Sequence, residues 1–136
     1  MYFDGQGDFR GTGNGLHNII SGGAGADTLS GGGGDDTLIG GAGADLLIGG
    51  AGADLFVIAG IGNRVTDFSR AQGDRLDIST LLSQPMAFDD LVASGQLRWE
   101  AQGRDLALFF GAGSEAPIAL LQGQAALELQ ASDFVL

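Results

Sequence analysis

Four aspartates, Asp27, Asp36, Asp45 and Asp54, recur every nine residues, and each follows a run of glycines. Carboxylates at a fixed period beside glycines suit one chemistry above others, the binding of a hard cation. Calcium takes about six to eight oxygens, and backbone carbonyls serve it alongside carboxylates. Glycine carries no Cβ, so its carbonyl is open to close approach. One Gly-Gly-Ala-Gly-Ala-Asp loop supplies too few oxygens, whereas two such loops facing each other supply a full set. Magnesium fits less well, because it demands a tight octahedron and keeps its waters.

Other chemistries lack their parts. There is no cysteine and a single histidine, His17, at a variable loop position where it reads as solvated. A zinc site or a Cys/His nucleophile therefore has no partners. Asp67, Asp74 and Asp77 lie close in sequence and form either an acidic set or, the favoured reading, residues that bond turns or hold an edge ion. Trp99 beside Arg98 offers a sugar-stacking platform, but its alternation with Leu97 favours a place in the core. Neither a nucleotide-binding glycine motif nor a catalytic triad is written in the chain, which reads as non-catalytic.

The formal charge is −11, from 17 acidic and 6 basic residues, and there is no lysine. A nucleic-acid surface would need a cationic patch, and none is visible. No Arg or Lys stands between Arg10 and Arg64, so the repeat charges repel one another unless a cation neutralises them. The N-terminal MYFDGQGDFR has no apolar signal core, and no apolar run approaches the roughly 20 residues that span a bilayer. Such a chain either stays in the cytosol or leaves the cell without an N-terminal signal. Met1 directly ahead of an eroded repeat suggests a piece of a longer chain, with a short natural reading frame as the alternative.

The element that must position the aspartates is a nine-residue unit written four times without a gap over 22–57. Gly-Gly opens it, Gly stands fourth, Asp sixth, and Leu29, Leu38, Leu47 and Phe56 fill the eighth place. Glycines allow tight turns with φ > 0. The last three residues are too short for a lone strand but become a rung when coils stack about 4.8 Å apart. Residues 13–21 fit as a degenerate fifth repeat, with Asn18 at the Asp position, Leu16 where the fourth Gly belongs, and Ile20 in the apolar slot. Residues 1–12 are an N-terminal cap or a further eroded repeat at 4–12.

This unit is identified as the GGxGxDxUx nonapeptide of the RTX calcium-binding proteins. The resemblance implies an all-β fold, a right-handed parallel β-roll with calcium ions between coils, two repeats to a coil. Rungs 28–30 and 46–48 would share one sheet. Rungs 19–21, 37–39 and 55–57 would share the other, with the eighth-position side chains inside. It also implies an ion between loops 22–27 and 40–45. Its ligands would be Asp27, Asp45 and carbonyls from Gly22, Gly23, Ala24 and Gly25 facing Gly40, Gly41, Ala42 and Gly43. A second would lie between loops 31–36 and 49–54, using Asp36 and Asp54. Its carbonyls would come from Gly31, Gly32, Gly33 and Gly34 and from Gly49, Gly50, Ala51 and Gly52. A third, between 13–18 and 31–36, would have to use Asn18. About three to five ions are expected in all, with Asp35 solvated rather than a ligand.

The outward seventh and ninth positions turn apolar toward the end of the array (Ile39, Leu46, Ile48, Leu55, Val57), so the C-terminal segment is expected to wrap that end. Residues 58–136 read as a β-rich cap. Expected there are strands 64–68 and 75–79 about a turn, a helix 88–94 stopped by Gly95, and a hairpin 97–101/106–110. Two more strands are expected at 118–121 and 126–129. Residues 53–79 resemble the flank that follows the repeats in C-terminal modules of secreted bacterial proteases, lipases, alginate epimerases and adhesins, with Arg64 a departure. The final Asp133-Phe134-Val135-Leu136 resembles the C-terminus of type I (ABC-transporter) secretion substrates, although it also suits an amphipathic tail packed on the cap. The resemblance thus implies a secreted, extracellular module that folds on calcium and carries an export signal. The alternative is a polysaccharide-binding accessory module, which for a polyanion would need Arg64, Arg70, Arg75, Arg98 and Arg104 to converge.

Overall fold

A computed structural model describes residues 1–136. The repeats form two parallel sheets facing each other across a narrow core. Strands β1 (Arg10–Thr12), β3 (Thr28–Gly33), β5 (Leu46–Ala51) and β7 (Asn63–Val65) stack in one sheet. Strands β2 (Ile19–Ala24), β4 (Thr37–Ala42), β6 (Leu55–Val57) and β8 (Arg75–Asp77) stack in the other. Leu29 pairs with Leu47 and Leu38 with Phe56, so a residue meets its neighbour one coil, or two repeats, later. This is the parallel β-roll, with the rungs in the two sheets as expected. Arg10 pairs with Thr28 in the same register, so residues 4–12 form a further half-coil, which 13–21 completes.

Eighth-position side chains build the core because strand alternation turns them inward. Ile20, Leu29, Leu38, Leu47 and Phe56 are all fully buried. Their ladders run on into the C-terminal half. One passes Leu29–Leu47–Val65–Leu121–Leu106, the other Ile20–Leu38–Phe56–Leu76–Phe134. The C-terminal segment therefore adds rungs to both sheets and closes the end of the core. The expected wrapping of the outer faces takes this other form, and Leu46, Ile48, Leu55 and Val57 stay half-buried on the outside.

Helix α1 (Phe88–Ala93) buries Leu91 and stops at Gly95, whose φ of +74° suits glycine. Strands β9 (Leu97–Gln102) and β10 (Asp105–Phe110) form the expected hairpin, and β11 (Ala119–Leu121) joins β10 to β7. Two expectations fail, and one strand is added. Strands β7 and β8 are shorter than read and lie in opposite sheets, because the turn between them is a coil loop and not a hairpin. Residues 126–129 form no strand, since the Glu128 carbonyl is taken by the Arg70 guanidinium (2.6 Å) rather than by a sheet neighbour. Strand β12 (Phe134–Val135), which the sequence left unassigned, pairs with β8 at the sheet edge. No helix is long and apolar enough to cross a membrane.

Candidate metal centre

The loops between rungs line up in two rows along the edges of the roll. Loops 22–27 and 40–45 stack in one, and 31–36 and 49–54 in the other. The second-position glycines (Gly23, Gly32, Gly41, Gly50) have φ of +95° to +105°, and the fourth (Gly25, Gly34, Gly43, Gly52) +87° to +131°. Only glycine adopts these values readily. The coils also approach closely here. A methyl on Gly41 would collide with the Gly23 carbonyl oxygen, on Gly43 with that of Gly25, and on Gly50 with that of Gly32. Carbonyls of one loop thus face the next loop of the same row.

Each repeat aspartate is used in the same way. Its Oδ1 accepts a backbone N–H from the loop one coil earlier. Asp27 receives it from Phe9, Asp36 from Asn18, Asp45 from Asp27 and Asp54 from Asp36, at 2.7–2.9 Å. Its Oδ2 is buried and meets no hydrogen-bond donor at all. All four side chains are at most 2 % exposed. A carboxylate oxygen without water or donor is costly to bury, so four at one repeat position mark an unmet demand for positive charge. Burial pushes the Asp45 carboxyl up, opposed by the Asp27 N–H and reinforced by the Asp27 charge. Burial likewise raises Asp54 to about 6 against the Asp36 N–H, with Asp74, Asp36 and Asp67 adding repulsion.

No basic side chain reaches these oxygens, and no three His, Cys, Asp or Glu side chains converge. The donors on offer are one carboxylate per loop and inward carbonyls. That all-oxygen set, rich in backbone carbonyls, fits calcium and not zinc.

Asp27 stands with Asp45, and Asp36 with Asp54, as neighbours within a row. Gly22, Gly31, Gly40 and Gly49 lie against the Oδ2 of their own loop's aspartate, with no room for a Cβ. The third-position residues pair in register, Ala24 with Ala42 and Gly33 with Ala51. Asn18 differs. Its Oδ1 is taken by the Asn14 N–H (2.7 Å), and neither Asn14 nor Leu16 has the positive φ of the equivalent glycines. Asp35 is exposed and accepts the Ala53 N–H, while the His17 Nδ1 accepts that of Asp35.

Sequence reasoning read Asp74 as bonding a turn, as it does, but gave neither Asn63 nor Asp74 a place in the rows. Asn63 Oδ1 accepts the Asp45 N–H and Asp74 Oδ1 the Asp54 N–H, so each continues a row. The signal for Asn63 was its place eighteen residues after Asp45. For Asp74 a two-residue insertion hid it. Asp67 accepts the N–H groups of Gly49 and Gly50, and Asp77 the backbone N–H and side-chain O–H of Ser79. The three acids bond separate turns and form no catalytic set. The arginines are dispersed as well. Arg70 grips Asp133, Arg75 donates to the Phe134 carbonyl, and Arg98 lies over the Phe109 ring. Trp99 stacks on Phe88 and is half-buried against the core.

A family model, the RTX calcium-binding nonapeptide repeat in four copies, matches residues 12–47, 21–56 and 31–63. The chain belongs to the RTX calcium-binding repeat family. Two solved structures resemble this RTX module over nearly its whole length, both subunits of a mannuronan C5-epimerase from Azotobacter vinelandii. The AlgE6R3 subunit is 30% identical, covering 96% of this chain and 80% of that one at a TM-score of 0.67. The AlgE6R2 subunit is also 30% identical, covering 91% and 90% at 0.61. No curated protein sequence matches the chain.

Proposed function

We propose that this RTX module binds calcium between its coils, folds as it does so outside the cell, and thereby supports the secretion and folding of a larger exoprotein. The observation that carries this is the set of four buried, donorless Oδ2 atoms on Asp27, Asp36, Asp45 and Asp54. One ion is assigned to loops 22–27 and 40–45 and one to loops 31–36 and 49–54. Loop 13–18 is a weaker partner, its Asn18 oxygen already engaged. The remainder of about three to five ions would lie at the outer loops.

Without calcium the unpaired charges and the glycine-rich coils oppose folding, and a ligand that binds only the folded state reverses the balance. In a low-calcium cytosol the chain would stay extended and exportable by a type I transporter. Outside, calcium would fold it and oppose back-sliding. The terminal Asp133-Phe134-Val135-Leu136, a sheet edge when folded, would be free for the transporter only in that extended state. The module itself is assigned no catalysis. The test is calorimetric titration of chelator-treated protein with calcium, with magnesium as control, and export of a passenger fused ahead of residues 1–136 with and without 133–136. Absence of calcium binding would defeat the first half, and export unaffected by the deletion the second.

The likeness to epimerase subunits favours a second reading, an accessory polysaccharide-binding module. Of the arginines it would recruit, Arg70, Arg75 and Arg98 already serve the fold, leaving Arg64 and Arg104. Oligosaccharide-induced NMR shifts lost in Arg64→Ala would support it, and their absence in the wild type would end it.

A further inference from the structure

We propose that Asn63 and Asp74 are the stop residues of the two ion rows, so that no calcium enters between loops 40–45 and 58–63 or between 49–54 and 67–74. The proposal rests on the calcium reading above. Both residues repeat half of what a repeat aspartate does and cancel the other half. Each Oδ1 accepts the N–H of the sixth residue one coil earlier, Asn63 from Asp45 at 3.2 Å and Asp74 from Asp54 at 2.9 Å. The second terminal atom, donorless in every repeat aspartate, is satisfied in both by the protein. Asn63 Nδ2 donates to the carbonyls of Gly60 (3.2 Å) and Ile118 (3.0 Å). Asp74 Oδ2 accepts the Ser69 N–H at 2.8 Å. Each residue is at most 3 % exposed, so these bonds exclude water as well as a cation.

The loops that carry them are one device built twice. Each has a single left-handed glycine directly before the stop, Gly62 (φ +82°) and Gly73 (φ +98°), in place of the pair at the second and fourth positions of a repeat. A Cβ on Gly62 would sit 3.2 Å from the Ala44 Cβ, and one on Gly73 3.1 Å from the Ala53 Cβ, the same fifth position of the preceding loop. The loops differ in length and sequence, yet both end in the same geometry. At the Asn63 stop the Gly60 carbonyl, which a metal loop would turn to an ion, is consumed by the Asn63 amide.

Native mass spectrometry of the full chain in saturating calcium tests this. Asn63→Ala and Asp74→Ala should bind as many ions as the wild type while melting at lower temperature, whereas Asp45→Ala should bind fewer. Loss of an ion from either stop variant would overturn the proposal. Should a variant fail to fold in calcium, hydrogen exchange of the wild type decides. Slow exchange of the Asn63 side-chain amide and the Ser69 N–H is expected, and rapid exchange of either contradicts the assigned bonds. A wild type that binds no calcium defeats the reading beneath, while one that binds it but loses an ion in a stop variant defeats the stops alone.

Discussion

Asp54 carries the clearest conflict in the molecule. Its unfolded carboxyl titrates near 3.8, and in the metal-free fold it is raised to about 6, first by burial and then by Asp74, Asp36 and Asp67. A raised folded value means that stability is fully present below the unfolded value and is lost as pH rises through the folded one. Asp45 and Asp74 are shifted in the same direction, again chiefly by burial. The metal-free chain should therefore be most structured near pH 4 and least structured above about pH 6, which far-UV circular dichroism in calcium-free buffer across that range would read. A β signal flat or rising toward neutral pH would contradict it. Asp54→Asn should stabilise the metal-free chain at pH 7 by about 2–3 kcal/mol, the size of a two-unit shift. The same change should weaken calcium binding on the order of tenfold or more, because affinity follows ligand charge. An Asn variant equally weak in both states would speak against the buried charge as the source of conflict.

The coil is the unit in which the sequence was most legible. Period nine put Leu29, Leu38, Leu47 and Phe56 in one slot, and the structure stacks them in two continuous ladders. Leu47 sits mid-ladder between Leu29 and Val65, fully buried, so Leu47→Ala should cost about 2–5 kcal/mol in calcium-loaded protein by chemical denaturation. Gly43→Ala combines a strained φ of +128° with a clash against the Gly25 carbonyl and should lower stability by more than about 1 kcal/mol. A variant that melts with the wild type would mean that the loops do not pack as closely as described. What could not be read locally was pairing over long separations. Phe134 meets Leu76 across 58 residues, and nothing near either announces the other. The two-residue insertion before Asp74 concealed its place in the row, and Arg70 turned the 126–129 segment away from the sheet.

Across the whole molecule, the roll and its C-terminal half form one structure with shared sheets and one core of 19 buried hydrophobic residues. Its C-terminal edge is clamped by Asp133, 1 % exposed, whose two oxygens meet the Arg70 Nε at 2.7 Å and Nη2 at 2.5 Å. Arg70 lies in the turn between Asp67 and Asp74, which bond the amides of the last metal loop. Asp133→Ala should therefore destabilise the calcium-loaded protein by about 2–3 kcal/mol, read as a lowered melting temperature. An unchanged melt would show the tail to be dispensable. With a formal charge of −11 and four donorless carboxylate oxygens, the whole fold should depend on the ion. The most direct measurement is far-UV circular dichroism of chelator-treated protein at neutral pH during a calcium titration, with magnesium alongside. A cooperative gain of β signal with calcium and not with magnesium is the expected result. A chain already fully β-structured in chelator, unmoved by calcium, would contradict calcium-dependent folding.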